Sequence, residues 1–336
     1  MNFPLFYDKV YVDKFFIKCN ILQYCMIINY LKLLRRCRVH AISMLLYVRE
    51  GYGQKMRGMS NKINYSVLMS VYIKDNARWL ALSIESMLKQ TLKPDEIVII
   101  KDGPLTEELN QVLRNFYNKF PSIFKIVELP QNVKLGLALQ RGILECKNEL
   151  IARMDSDDIS VPVRCEKQIE YMCAHPDIGM VGCIIDEFIN ETSNVIAHRI
   201  LPEKHSEIVK FSRRRVPITH PTVIFRKSDV IRCGNYKERH LVEDYDIFVR
   251  LLKNGVKAYN IQSPLVYVRV SDNFYKRRGG IRYLTSLLSF NLELYRMGWT
   301  SKVDFMVRST ANIVVCFMPN RVRDIIYRKL LRRQVA

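Results

Sequence analysis

The stretch Leu150-Ile-Ala-Arg-Met-Asp-Ser-Asp-Asp158 joins a short apolar run to three carboxylates within four positions. The apolar run predicts a buried strand, and Asp155, Asp157 and Asp158 follow where that strand ends. Each carboxylate raises the free energy of ionising its neighbours, so such a cluster is typical of a site that holds a cation. Mg²⁺ and Mn²⁺ are the natural candidates, because both prefer oxygen ligands and leave coordination positions for phosphate oxygens. The alternative is a polar turn before a helix that begins near Pro162.

Alternating strand and helix patterns precede this stretch. Apolar runs at Tyr65–Tyr72, Glu96–Lys101 and Phe124–Leu129 predict three more strands. Amphipathic spacing predicts the helices Ala77–Lys89, Thr106–Asn118 and Leu135–Cys146. Strands separated by helices imply a largely parallel sheet covered by helices, in which ligands bind beyond the carboxyl ends of the strands. Asp102, which follows the second strand, is therefore expected at the same sheet edge as the Asp155–Asp158 cluster.

The net charge of +20 lies mostly in the two ends of the chain. Residues 1–62 carry 11 Lys or Arg against 3 Asp or Glu, and residues 276–336 carry 13 against 3. A nucleic-acid-binding protein would explain a basic chain, but its charge should line a groove across the fold, whereas the central region is nearly neutral. The segment Ile325–Arg333 alternates apolar and basic side chains, which favours contact with an anionic membrane surface. The alternative is that the basic ends form helices that pack on the core.

The uncharged runs Cys19–Leu31 and Ser309–Asn320 fall short of the roughly 20 residues that a membrane-spanning helix requires. Charged residues between Asp8 and Lys18 interrupt the place where the apolar core of a signal peptide would lie. The nine cysteines lack metal-ligand spacing and are expected to be reduced thiols. We therefore expect a cytoplasmic protein, peripheral to the inner face of the cell membrane.

Composition also predicts the domain organisation. Residues 1–62 are expected to form a basic N-terminal extension, because glycines at its end mark a loose connection to the first strand. Residues 63–275 are expected to form the α/β domain. Residues 276–336 are expected to form a basic, amphipathic and helical C-terminal region.

The order of the motifs resembles that of the family-2 inverting glycosyltransferases with a GT-A fold. The motifs are Ser70-Val-Tyr72, Ser86-Met-Leu-Lys-Gln-Thr91, Lys101-Asp-Gly-Pro104, Ile151–Asp158, Thr219-His-Pro-Thr222 and Val242–Arg250. Within the family, the sequence most resembles bacterial enzymes that build exopolysaccharide, capsule or lipopolysaccharide repeat units. The resemblance implies a Rossmann-like, mixed and mainly parallel sheet covered by helices, with helical N- and C-terminal flanks.

The resemblance also implies roles for particular residues. The nucleotide-sugar-binding residues would be Ser70, Tyr72, Asp102, Lys134, Asp155 and His220. Asp157 would ligate Mn²⁺ or Mg²⁺ through the Asp-x-Asp motif with Asp155, and Asp158 could take the place of Asp157. His220 has an alternative reading as a buried structural residue.

An inverting transfer needs one base to take the proton of the acceptor hydroxyl. By resemblance Asp244 is that base, and Glu243 stands beside it. Both precede the apolar helical run Tyr245–Leu252, where a helix N-terminus favours a carboxylate. The alternative is that these acidic residues only cap the helix.

The implied reaction transfers one sugar from a nucleotide-diphospho-sugar to a saccharide or polyprenyl-diphosphate-linked acceptor, by a metal-assisted single displacement. UDP is favoured as the nucleotide by family frequency. The chain departs from part of the family at Lys101, where many relatives have a second Asp, and it lacks the Gln-x-x-Arg-Trp motif of processive enzymes. A metal-dependent nucleotidyltransferase is the alternative enzyme, but it would normally show a Gly-rich phosphate loop early in the chain. Nucleic acid is not expected as a partner.

Overall fold

Parallel strands form the first half of the central sheet. The computed structural model describes residues 63–270, 280–319 and 333–334. The first four strands are β1 (Tyr65–Val71), β2 (Glu96–Lys101), β3 (Phe124–Glu128) and β4 (Leu150–Arg153). Their order in the sheet is β3-β2-β1-β4, and each neighbouring pair is parallel. The helices that connect them are α1 (Ala77–Leu88), α2 (Glu107–Lys119) and α3 (Lys134–Glu145). These elements confirm the predicted α/β core.

Helices cover both faces of this parallel half, which explains why its strands are continuously apolar. Val67 and Met69 of β1 pack on one face of the sheet, in the same cluster as residues of α1 and α2. Leu68 lies between them and packs on the other face, with Ala138 and Leu139 of α3. Burial of alternate residues on opposite faces fixes the register of β1.

The second half of the sheet is mixed. Its strands are β5 (Ile159–Ser160), β6 (Ile178–Phe188), β7 (Val195–Arg199), β8 (Ile224–Arg226), β9 (Lys257–Arg269) and β10 (Arg333–Gln334). Strand β8 is antiparallel to both β4 and β6, so it joins the two halves. Strand β6 is parallel to β9 and antiparallel to β7. The two outer pairs, β5 with β9 and β7 with β10, are antiparallel.

The remaining helices are α4 (Arg164–Ala174), α5 (His205–Ser212), α6 (Lys227–Arg232), α7 (Glu243–Lys253), α8 (Ile281–Arg296) and α9 (Lys302–Phe317), with a 3₁₀ turn at His220–Thr222. Helix α8 packs on α7 through Phe290 and Leu294, which contact a cluster that includes Tyr245 and Val249. The C-terminal flank is thus helical at Ile281–Arg296 and Lys302–Phe317, whereas its residues Arg333–Gln334 form strand β10.

Two segments for which the sequence makes predictions lie outside the residues that the structure describes. The extension 1–62 lies outside the described residues, and so does the segment Ile325–Arg333 except for Arg333, which belongs to β10. The cysteines of the described ranges are free thiols. None of the helices within 63–270 and 280–319 combines the length and the apolar character that a bilayer crossing requires.

Candidate active site

The carboxyl end of β1 is flanked by both predicted acidic groups. Strand β1 lies between β2 and β4, and the three run in the same direction. The N–H of Asp102 donates to the carbonyl of Val71 at 2.8 Å, directly after β2. On the other side, the N–H of Met154 donates to the carbonyl of Leu68 at 3.1 Å, directly after β4. Asp102 and the Asp155–Asp158 cluster therefore lie at one sheet edge, as parallel strands predict.

Asp102 is oriented by the loop that precedes α3. Its Oδ1 accepts the N–H of Val133 at 2.6 Å, and its Oδ2 accepts Nδ2 of Asn132 at 2.9 Å. Gly103 allows this approach, since it has a φ of +86° and a Cβ there would meet the backbone N of Asn132 at 2.6 Å. Burial raises the pKa of Asp102, while the neighbouring backbone N–H groups lower it. A carboxylate has about four lone-pair sites, so acceptor capacity remains for a ligand.

Lys134 begins α3, directly after the loop that holds Asp102. It has a φ of +70°, a conformation that is uncommon for a residue other than glycine. Its side chain is exposed and pairs with Glu238 at 2.9 Å. The structure therefore places Lys134 beside the Asp102 loop, with its ammonium group engaged by a carboxylate.

Asp155, Asp157 and Asp158, the predicted metal ligands, lie close enough together to hold one ion. One oxygen of each carboxylate lies within 4.8 Å of the others. Asp158 is buried, and burial raises its pKa well above the ordinary value, with further increases from the charges of Asp157 and Asp155. A donor set made only of carboxylate oxygens fits Mg²⁺ or Mn²⁺. The three residues could hold such an ion together with phosphate oxygens.

Arg269 ties this cluster to the end of β9. Its backbone N–H donates to Oδ1 of Asp158 at 2.9 Å, and its Nε donates to the carbonyl of Asp157 at 3.1 Å. Its guanidinium lies between the rings of Trp79 and Phe188, at 4.7 and 4.5 Å from their centroids. These contacts fix the acidic loop, and they leave Asp157 less buried than Asp158.

Arg153 is a site residue that the sequence interpretation did not identify. It ends β4, is 2% exposed and forms an ion pair with Asp155. Its Nε and Nη1 have no hydrogen-bond partner among the described residues. The only sequence signal is a charged residue in an otherwise apolar strand that ends at an acidic cluster. Such a residue is rarely buried unless it is paired.

Asp75, in the polar turn after β1, is a second site residue that the sequence interpretation did not identify. Its Oδ2 accepts the N–H of Tyr72 at 3.1 Å and the hydroxyl of Ser156 at 2.9 Å, so it joins the end of β1 to the acidic loop. Burial raises its pKa to about 7, and the charges of Asp157 and Asp155 add to the increase. Ser70, the predicted nucleotide-binding residue of β1, is half-buried at the same strand end.

The acidic pair Glu243-Asp244 opens α7, as the sequence predicts. Glu243 is 9% exposed, and burial followed by the charge of Asp244 raises its pKa to about 7. The charge of Asp155 contributes to the same increase, which puts Glu243 within electrostatic reach of the acidic cluster. Asp246 has another role, because its Oδ2 accepts Nε and Nη2 of Arg250 at 2.9 and 2.6 Å. Asp246 thus pairs within the helix, whereas Oδ1 of Asp244 accepts the N–H of Tyr245 at 2.7 Å at the helix start.

His220 is buried at the start of the 3₁₀ turn His220–Thr222. Its Nε2 hydrogen-bonds with the hydroxyl of Tyr236 at 2.9 Å, and the edge of its ring faces Phe248. Burial lowers its pKa well below the ordinary value, and the charge of Arg153 lowers it further. His220 is thus neutral and hydrogen-bonded to Tyr236. It also lies within electrostatic reach of Arg153, which pairs with Asp155.

Comparison with known proteins identifies the family. A profile described as glycosyl transferase family 2 matches residues 66–234, half of the chain. The UDP-Gal:alpha-D-GlcNAc-diphosphoundecaprenol beta-1,3-galactosyltransferase of Escherichia coli is 36% identical over 269 residues, which cover 80% of this chain and 97% of that relative. The amylovoran biosynthesis glycosyltransferase AmsE of Erwinia amylovora is 35% identical over 269 residues, which cover 79% and 98%.

A solved structure shares the fold. The mannosyltransferase PcManGT from Pyrobaculum calidifontis, in complex with GDP-Man and Mn²⁺, matches with a TM-score of 0.52 and 15% identity, over 77% of this chain and 71% of that chain. Together with the mixed sheet and its helical cover, this likeness confirms the predicted fold class. The chain therefore belongs to glycosyl transferase family 2 and is a glycosyltransferase with the GT-A fold.

Proposed function

We propose that this glycosyltransferase moves a single sugar from a UDP-sugar to a lipid-diphosphate-linked saccharide, by a metal-assisted displacement that inverts the anomeric centre. The observation that carries the proposal is that Arg153, which forms an ion pair with Asp155 at the sheet edge, and Asp155 itself both act electrostatically on Glu243 at the start of α7. It brings a cluster suited to the donor diphosphate and a pair suited to general-base catalysis into one site.

The donor side is built from residues at the sheet edge. Ser70 and Tyr72 bind the nucleotide, with the Tyr72 ring stacked on the base and Asp102 accepting a hydrogen bond from it. Asp155 and Asp157 would hold a divalent ion, and Asp158 would support them from its buried position. A bound Mg²⁺ or Mn²⁺ would stabilise the negative charge of the departing diphosphate. Lys134 and His220 lie beside the nucleotide and the diphosphate respectively.

The acceptor side is built from α7. Asp244 takes the proton of the acceptor hydroxyl as the new bond forms, and one such carboxylate suffices for a single displacement. Glu243, with a pKa of about 7, holds a proton over part of the neutral range. That proton lowers the repulsion between Glu243 and the neighbouring carboxylate of Asp244.

The acceptor and the setting are proposed by similarity. The galactosyltransferase of Escherichia coli is named for a UDP-Gal donor and a GlcNAc-diphosphoundecaprenol acceptor, and it aligns over nearly its whole length. That alignment supports a polyprenyl-diphosphate-linked acceptor and a role in bacterial surface polysaccharide biosynthesis. Residues 63–275 are then the catalytic domain, between the basic flanks 1–62 and 276–336. The enzyme would work as a peripheral protein at the anionic cytoplasmic face of the membrane.

A donor screen tests this function. The full chain is incubated with Mn²⁺, the candidate acceptor GlcNAc-diphosphoundecaprenol and each nucleotide sugar in turn, with EDTA as the control. Release of UDP from one donor, loss of release in EDTA and an inverted anomeric configuration in the NMR spectrum of the product are the expected results. Release of pyrophosphate instead would identify a nucleotidyltransferase, and turnover in EDTA would refute the role of the acidic cluster.

A further inference from the structure

Helix α9 exposes an apolar stripe that is interrupted by Thr310. Six apolar side chains recur at helical spacing along it and are 42–67% exposed: Val303, Met306, Val307, Ile313, Val314 and Phe317. Single exposed apolar residues are ordinary, but a stripe that runs the length of a helix marks a surface that contacts another apolar phase. The stripe has no role in the proposed transfer reaction.

The opposite side of α9 packs against the helix that carries the proposed base. Nη1 of Arg308 donates to the hydroxyl of Tyr245 at 2.5 Å, and its guanidinium lies 4.8 Å from the centroid of that ring. Tyr245 directly follows Asp244. Because a helix with its side chains is about 10–12 Å across, the apolar stripe lies about one helix diameter from the residue next to the base.

The surroundings of the stripe suit anionic lipid. Asp304 is the only acidic residue in 302–319, and it is 7% exposed and engaged by Arg214 at 2.6 Å. The sequence that follows, 321–333, carries six Lys or Arg against one Asp. An apolar stripe beside basic residues is the pattern of helices that lie in the interface of an anionic bilayer. A symmetric contact between two copies would instead bring together two chains that each carry a net charge of +20, which like-charge repulsion opposes.

We propose that the stripe of α9 inserts into the interfacial region of an anionic lipid surface, with the helix lying in the plane of that surface. This orientation would bring a lipid-anchored acceptor to the side of the molecule that carries Asp244. The inference rests on the proposed function for the identity of the acceptor, but lipid binding itself needs neither donor nor acceptor.

Vesicle co-sedimentation of the full chain, without donor or acceptor, tests the proposal. The vesicles contain phosphatidylcholine with or without phosphatidylglycerol at about 30%. Wild type should bind the anionic vesicles, and Met306→Glu with Phe317→Glu should lower the partition coefficient by about tenfold or more, because both side chains lose apolar contact with the bilayer. Met306→Ser with Phe317→Ser removes the same apolar groups without added charge and should act in the same direction.

The control places the same two charges on exposed apolar positions elsewhere. Leu144→Glu with Ile231→Glu, on α3 and α6, should retain binding within about twofold, which separates a local effect from a change in net charge.

Equal binding of wild type and the α9 variants would overturn the proposal, and so would equal binding of wild type to neutral vesicles. A dimer that the α9 variants dissociate would assign the stripe to contact between copies. A large fall in the melting temperature of these variants would assign it to the protein core. Because transfer is not measured, failure of the proposed function would leave these outcomes unchanged.

Discussion

Arg153 and Asp155 form an ion pair at the carboxyl end of β4, with the guanidinium buried and the carboxylate one-third exposed. The charge of Arg153 also acts on Glu243, where it lowers the pKa that burial raises, and on His220. Arg153 therefore acts electrostatically both on the acidic cluster and on the pair at the start of α7. Its position makes it a support for both groups of carboxylates.

We expect Arg153 and Asp155 to be energetically coupled. Removing one partner leaves the other beside a low-dielectric interior, so a double-mutant cycle with Arg153→Met and Asp155→Asn should give a coupling of about 1–3 kcal/mol in urea unfolding with EDTA present. The exposed pair Lys257 and Asp177 is a matched control and should show weaker coupling. Additive effects at Arg153 and Asp155 would mean that the pair does not position the acidic loop.

Asp157 and Asp158 should differ in their effect on metal binding. Asp158 is buried and accepts the N–H of Arg269, whereas Asp157 is more accessible. Asp157→Asn should lower Mn²⁺ affinity in the presence of UDP by about tenfold or more. Asp158→Asn keeps an acceptor for Arg269 and removes one buried carboxylate, so its loss of affinity should be smaller. Mn²⁺ titration followed by electron paramagnetic resonance measures the affinity of both variants. An equal loss of Mn²⁺ affinity would mean that Asp157 and Asp158 are equivalent ligands.

Asp244→Asn should separate chemistry from donor binding. Loss of a general base lowers kcat by about 10²–10⁴-fold, while the affinity for UDP should stay nearly unchanged. Asp246→Asn is the contrasting variant, because it breaks a buried pair with Arg250 and should lower the free energy of unfolding by about 3 kcal/mol. Single-turnover rates with UDP-binding titrations distinguish the two, and wild-type turnover by Asp244→Asn would falsify its assignment as the base.

Because of Glu243, the free energy of unfolding should fall as the pH rises from 4.5 to about 7. Burial, followed by the charge of Asp244, raises its pKa from 4.5 to about 7. Between these values the folded state keeps a proton that the unfolded state has released, so the free energy of unfolding falls with rising pH. The full effect is about 3 kcal/mol, at about 1.4 kcal/mol per pKa unit.

Urea unfolding from about pH 5 to about pH 8.5 measures this effect. Glu243→Gln cannot titrate at this position, so the decrease in its free energy of unfolding should be smaller than that of wild type. Parallel curves for the two proteins would show that Glu243 keeps an ordinary pKa in the folded state.

Local sequence patterns were sufficient to predict the strands and helices of the parallel half of the sheet. Strand Glu96–Lys101 has the predicted bounds, and helix Ala77–Leu88 differs from its prediction by one residue. A continuous apolar run and a helical period are properties of neighbouring residues, so they can be read without the fold. Strand β8 has three residues and forms pairs only with strands distant in sequence, so no local pattern predicted it.

Sequence patterns alone showed which acidic groups follow strands or begin a helix, and the parallel-strand rule then predicted Asp102 beside the Asp155–Asp158 cluster. Three features became visible only in the folded chain: Glu243 comes within electrostatic reach of Asp155, Arg153 is buried and paired with Asp155, and α9 turns its apolar stripe outward. This difference follows from the range of the interactions. Strand ends and helix starts depend on nearby residues, whereas burial and the partner of each charge depend on packing between segments far apart in the chain.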